Sequence, residues 1–270
     1  MGAIALSRAL LGAPYDSDAE AWRRAVLAQG GSVSAAQQRR IVRLVRALKA
    51  RGVWPALDRL WIFAAENAAQ ALTDLRTRSL ASLSPTPPAF TALRGFQGNG
   101  TSAYVDFGVA ASALTQFTQN SAHIGFYVQS GDELTSTWVG ARDSGSGFSS
   151  DINSGVSAAA NFSIQAASSA TGMIQGGQSG MHIADRQSSA MGSWARNGVD
   201  TDVNKTVTIS SSRAIANLTA LARNTSGTYA QFSGSRLAMV SFGSTLGSTG
   251  RANLAIAVNT YMAAIGANTY

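Results

Sequence analysis

The chain changes its hydrophobic rhythm close to residue 84. Ahead of that point apolar residues recur at helical spacing. Ser17 followed by Glu20 has the form of a capping box, and Gly30-Gly31 closes the helix that it opens. Ser34 and Gln37 repeat the start signal, and Ile41, Leu44, Val45 and Leu48 follow on one helical face until Gly52. Pro55 suits the first turn of a third helix, where its missing N–H is not needed. Running to about Thr77, that helix would bury Leu57, Leu60, Trp61, Ala64, Ala68 and Leu72. Three such segments predict a small bundle or hairpin. SPTPP, from Ser84 to Pro88, reads as a stiff linker.

Beyond residue 95 the helical period fades. Short β-leaning stretches alternate with Gly/Ser/Asn turns: Ala103–Val109, His123–Gln129, Ser136–Ala141, Phe162–Ala166, Met181–Arg186, Ser193–Arg196, Thr206–Ile209, Thr219–Arg223 and Arg236–Phe242. Many short strands at roughly 8–12-residue spacing predict a sandwich or barrel. Asn197-Gly198 stands between two of them, the strongest short-range hairpin signal. From Thr249 onward Leu254, Val258, Tyr261, Met262 and Ile265 return to helical spacing, which predicts a closing helix on the sandwich.

Charge follows the same division. The 270 residues carry a net +7, and residues 1–94, with 13 Lys/Arg against 6 Asp/Glu, supply all of it. The remainder is neutral. Arg39, Arg40, Arg43, Arg46, Lys49 and Arg51 crowd the second helix. Such a face fits phosphate binding or partner docking, but no base-reading motif accompanies it, so nucleic acid is not the expected partner. The absence of cysteine excludes disulfides, thiolate metal sites and cysteine nucleophiles. No apolar run reaches the ~18 residues that a membrane span needs, and no membrane association is expected.

Candidate chemistry is sparse. A glycosidase needs two carboxylates flanking the scissile bond. Glu133, the one Glu beyond residue 94, lies beside Asp132, and neighbours on a strand point to opposite faces. His123 and His182, the two histidines, stand in apolar β-like contexts without a nucleophile elbow and read as core residues. Asp200-x-Asp202-x-Asn204 opens like a calcium loop but has Lys205 where glycine is needed, so neither a metal nor a cofactor is expected. Binding has better candidates. Trp194 with Arg196 and Asn197, or Trp138 with Arg142, could stack on a sugar ring while the polar groups meet its hydroxyls. The competing reading places both tryptophans in the core.

GFQGNGTSAYVDFG (95–108) resembles the opening strand of laminin-G-like, concanavalin-type jelly rolls, and SWARNGV (193–199) is similar to their mid-domain hairpin. ARNTSGTYAQFSGSRLAMVSFGSTL (222–246) is similar to late strands of a set of tailed-phage virion proteins, as is the Gly52-Val53-Trp54 joint ahead of the sandwich. The resemblance implies a mainly β protein, an antiparallel jelly-roll β-sandwich with a short N-terminal helical segment and a C-terminal helix. Its expected units are a helical attachment segment (1–83), a linker (84–94) and the sandwich with its helix (95–270). It further implies a non-enzymatic structural protein displayed on a virion, a symmetric homo-oligomer among other virion proteins that could also bind host surface glycan. Docking would fall to Arg39, Arg43 and Arg46 and to the apolar Leu10 and Leu11 of the first fourteen residues. The alternative is a carbohydrate-binding module or glycan hydrolase of the concanavalin-like class.

Overall fold

The computed structural model describes residues 15–131, 136–144, 149–154, 159–166, 170–175, 179–207 and 212–270. Helix α1 (Ser17–Ala28) begins where the pattern predicts, but Asp16 caps it, its carboxylate accepting from the N–H groups of Asp18 and Ala19. Glu20 does not reach back; it pairs with Arg23 and Arg24. Helix α2 (Ala35–Ala50) is capped by Ser34, and Gly52 follows it at φ 72.

The expected third helix is mostly a strand. Trp54–Ala56 make one 3-10 turn, β1 spans Leu57–Ile62, and only Ala68–Leu72 form a short helix, α3. The cause is burial on both faces. Leu60, Ile62 and Ala64 point to one core, whereas Trp61, Phe63 and Ala65 point to another. A strand covered on both sides reads as an unbroken apolar run, which periodicity cannot separate from a buried helix.

The remaining strands are β2 (Ser82–Leu83), β3 (Ala89–Thr91), β4 (Gly95–Gln97), β5 (Val105–Ala110), β6 (Ala122–Ser130), β7 (Thr137–Arg142), β8 (Ser149–Ser154), β9 (Ala159–Ala166), β10 (Ala170–Gln175), β11 (Gly180–Arg186), β12 (Met191–Arg196), β13 (Val199–Thr206), β14 (Asn217–Ala220), β15 (Arg223–Thr225), β16 (Thr228–Ala230) and β17 (Arg236–Gly243). One sheet runs β13-β12-β11-β6-β17-β4-β3, with β1 also on β17; the other runs β10-β9-β8-β7-β14-β5-β2 and carries the β15–β16 hairpin. Among the described residues every pairing is antiparallel except β15 on β7. The fold is thus the mainly β, antiparallel sandwich expected, closed by helix α4 (Gly247–Ala264).

The expected division at residues 84–94 does not hold. β1 pairs with β17 from Leu57↔Gly243 to Ile62↔Met239, β2 pairs with β5, and β3, inside the supposed linker, pairs with β4. Nor is there a separate bundle. Trp22, Val26, Leu44 and Leu48 share one core with Tyr127, Met181 and Met239 of the first sheet and with Leu254 and Val258 of α4. A short buried relay ties these parts together: Gln37 Nε2 donates to Tyr261 Oη at 2.8 Å, and Tyr261 donates to the Ala64 carbonyl at 2.8 Å. The first sheet is therefore the middle of three layers, with helices on one side and the second sheet on the other. The GFQGNGTSAYVDFG segment, read as one opening strand, supplies β4 to the first sheet and β5 to the second.

Candidate functional site

Strand alternation turns the expected sugar platform inward. Trp194 and Trp138 are 0% and 1% exposed, packed between the sheets with Phe126 at 6.2 and 5.4 Å between ring centroids. Trp138 Nε1 donates to Ser235 Oγ at 3.1 Å, and the His182 ring lies among the same aromatics. Neither indole can meet a ligand from solvent. Arg196 donates to the Ser179 carbonyl, and Asn197, at φ 53 beside Gly198 at φ 82, makes the expected tight turn. The Asn197 carboxamide oxygen accepts from the Met181 N–H, so it belongs to the hairpin. Arg142 is half-exposed at the end of β7.

The other candidates are equally dispersed. His123 holds the Ser244 carbonyl through Nδ1 at 2.6 Å and lies 3.3 Å from Ser241 Oγ through Nε2; burial pushes its pKa down. Asp200 and Asp202 lie on edge strand β13, engaged by Arg251 and Lys205 respectively. Arg39, Arg43 and Arg46 are exposed in a line on α2, and none forms an ion pair among the described residues. Their neighbours are committed: Lys49 to Asp16 and Asp18, Arg40 to Glu66 and Arg51 to Asn253. Leu10, Leu11, Asp132 and Glu133 lie outside the described residues.

The exposed side of the second sheet carries an aromatic cluster that the sequence reading did not single out. In AYVDFGV, Val105, Phe107 and Val109 point into the sandwich, leaving Tyr104, Asp106 and Gly108 on the opposite face. Ser226-Gly227, at φ 47 and 92, turns the β15–β16 hairpin so that it folds across this face. Tyr229 then stacks on Tyr104 with ring centroids 3.8 Å apart at 14°, and Phe232 stands 6.5 Å from Tyr104. The Tyr229 hydroxyl donates to Asp106 Oδ2 at 3.2 Å, and Asp106 Oδ1 accepts from the Gly108 N–H at 2.7 Å. Burial, with help from Tyr104 and Asp106, pushes the Tyr229 phenol up, so it stays protonated and remains a donor. Tyr104 is fixed through its backbone: its N–H donates to Ser84 Oγ, and its carbonyl accepts from the Ser84 N–H. All four side chains are half-buried. Alternation within AYVDFG was the available signal, but Tyr229 joins from 125 residues further on.

No protein-family model matches the sequence, and no curated protein matches it. Solved structures do share its fold. A Trypanosoma rangeli sialidase mutant displaying trans-sialidase activity aligns with a TM-score of 0.55 at 14% identity, over 81% of this chain and 38% of that one. The Trypanosoma rangeli sialidase in complex with sialic acid gives 0.53 at 15% identity, over 81% and 38%. The binding domain of botulinum neurotoxin serotype D gives 0.52 at 6% identity, over 75% and 52%. The chain thus spans about two fifths of the length of these sialidases and about half of the toxin domain. These likenesses correct the expectation of a non-enzymatic protein. Chains containing this fold include glycan hydrolases, so a shortage of paired carboxylates in the sequence does not set this one apart from enzymes.

Proposed function

We propose that this chain is a glycan-recognition domain, the carbohydrate-binding reading of the concanavalin-like class. The observation that carries it is the stacked Tyr104–Tyr229 pair, bonded to a carboxylate on an exposed sheet face. An aromatic ring with a free edge or face accepts the C–H side of a sugar, while a fixed carboxylate takes its hydroxyls. The likeness to a sialidase in complex with sialic acid and to a toxin binding domain supports this reading at the level of fold. Titration of the full chain against a panel of oligosaccharides tests it. Tyr229→Ala and Tyr104→Ala should each weaken binding by about tenfold, a change of about 1.4 kcal/mol, with circular dichroism unchanged. No binding by the parent chain, or variants that bind as the parent does, would overturn the proposal.

A second reading has its own support. Three exposed arginines at i, i+4 and i+7 repel one another on α2, at about 0.2–0.5 kcal/mol per pair. We propose that this stripe docks on an acidic partner surface, the arrangement that a place on a virion would need.

A further inference from the structure

We infer that the Tyr104–Tyr229 site takes a neutral sugar presenting adjacent hydroxyls and discriminates against an acidic one. This inference rests on the glycan-recognition reading and specifies its ligand class. The fold likeness alone would suggest the opposite, since one related structure is a sialidase holding sialic acid. The residues of the site argue otherwise. Asp106 is the charged group that flanks the stacked rings, and it forms no ion pair among the described residues. Each carboxylate oxygen already accepts one protein hydrogen bond, from Gly108 N–H and from the Tyr229 hydroxyl. A carboxylate has about four acceptor positions, so each oxygen keeps one. Two parallel acceptors about 2 Å apart match two neighbouring sugar hydroxyls, and bonds to a charged acceptor are roughly twice as strong as neutral ones.

A sugar carboxylate finds the reverse. The Tyr229 hydroxyl beside Asp106 is already directed at that carboxylate. The two anions would face each other across a half-buried surface, where screening by solvent is weaker than in open water. The chain's unpaired stripe, Arg39, Arg43 and Arg46, belongs to the helical layer on the far side of the first sheet, two layers away from Asp106.

The test uses the full chain and paired oligosaccharides that differ only in a terminal sialic acid, titrated by calorimetry at low and physiological ionic strength. The neutral member should bind at least tenfold more tightly, and the gap should narrow as salt rises. Asp106→Asn keeps an acceptor for the Gly108 N–H, presents an N–H that the Tyr229 hydroxyl can accept, and removes the charge. It should weaken the neutral ligand several-fold and shrink the discrimination to less than about threefold. Tyr229→Phe preserves the ring while freeing Asp106, and should retain the preference for the neutral ligand. Equal or tighter binding of the sialylated member, or a gap untouched by Asp106→Asn, would overturn this inference while leaving glycan recognition intact. Binding of neither member would overturn both.

Discussion

Arg251 shows how single residues fix this fold. It enters from α4, is 1% exposed at its side chain, and donates to Asp185 at 2.6 Å and to both oxygens of Asp200 at 2.8 Å. Asp185 also accepts from the N–H groups of Leu246 and Gly247, so one carboxylate serves both the guanidinium and the entry to the helix. Removing one member of such a buried set strands the others, and Arg251→Ala should cost about 3–5 kcal/mol in denaturant unfolding. His123 and Asp200 both contribute to the pH dependence. Burial holds His123 below its ordinary value, so the unfolded chain takes up a proton first as pH falls beneath ~6.5, and stability declines from there. Hydrogen bonding to Arg251 holds the Asp200 carboxyl below its ordinary range of ~3.9. Its contribution is complete above that value and is lost as pH falls through the lower folded one. Urea midpoints measured from pH 8 to 3 should therefore fall in two stages, and Arg251→Ala should flatten the second. Residue identity in the sequence gave partial guidance at this scale. It marked Trp138 and Trp194 as important aromatics, but the side of the sheet that each faces depends on pairing partners far along the chain.

At the scale of elements, local chemistry was legible and tertiary burial was not. Ser34 capping, the Gly52 stop, the Asn197-Gly198 turn and the closing helix all depend on neighbours within a few residues, and all are where the pattern predicts. β1 depends on two layers that come from elsewhere, and there helical spacing misled. Its Trp61 ring lies 4.4 Å from Phe107 of the opposite sheet, a contact across 46 positions. Short strands such as β2, β3 and β16 lack enough residues to show a period at all. The Tyr104–Tyr229 cluster escaped for a related reason: it is assembled by a hairpin folding over a sheet. A consequence concerns truncation. A chain beginning at Pro88, which the Pro-rich segment suggests as a natural start, lacks β1, β2 and helices α1 to α3. It should give aggregated or largely unfolded material by circular dichroism and size exclusion, whereas removal of residues 1–14 should leave the core intact. Gly243 adds to the case, because its backbone meets the Ala56 carbonyl so closely that a Cβ there would stand 1.9 Å from that oxygen.

The whole molecule has two unlike faces. Helices carrying the exposed Arg39, Arg43 and Arg46 cover one side, and the aromatic cluster with Asp106 lies on the other. The proposed glycan recognition and the proposed partner docking would therefore not compete for surface. Replacing all three arginines with Gln should leave oligosaccharide titrations within about twofold of the parent. It should also reduce the salt dependence of co-sedimentation with an acidic particle or partner, because exposed charges are screened over ~8 Å at physiological ionic strength. Equal retention at all salt concentrations would remove the stripe from any docking role.

β17 bonds to β6, β4 and β1, yet it is among the last strands in the chain. During synthesis, β1 and β6 leave the ribosome long before Arg236 is added; until then β1 lacks its strand partner and β6 has β11 on one edge alone. The nascent chain must carry bare strand edges and uncovered Trp61, Phe63 and Phe126 through about a hundred further codons. Non-local pairing of this kind folds slowly and exposes a chain to aggregation. Translation that pauses in that interval, or a stop codon before β17, yields a client for holding chaperones, with no smaller native version of the sheet to fall back on.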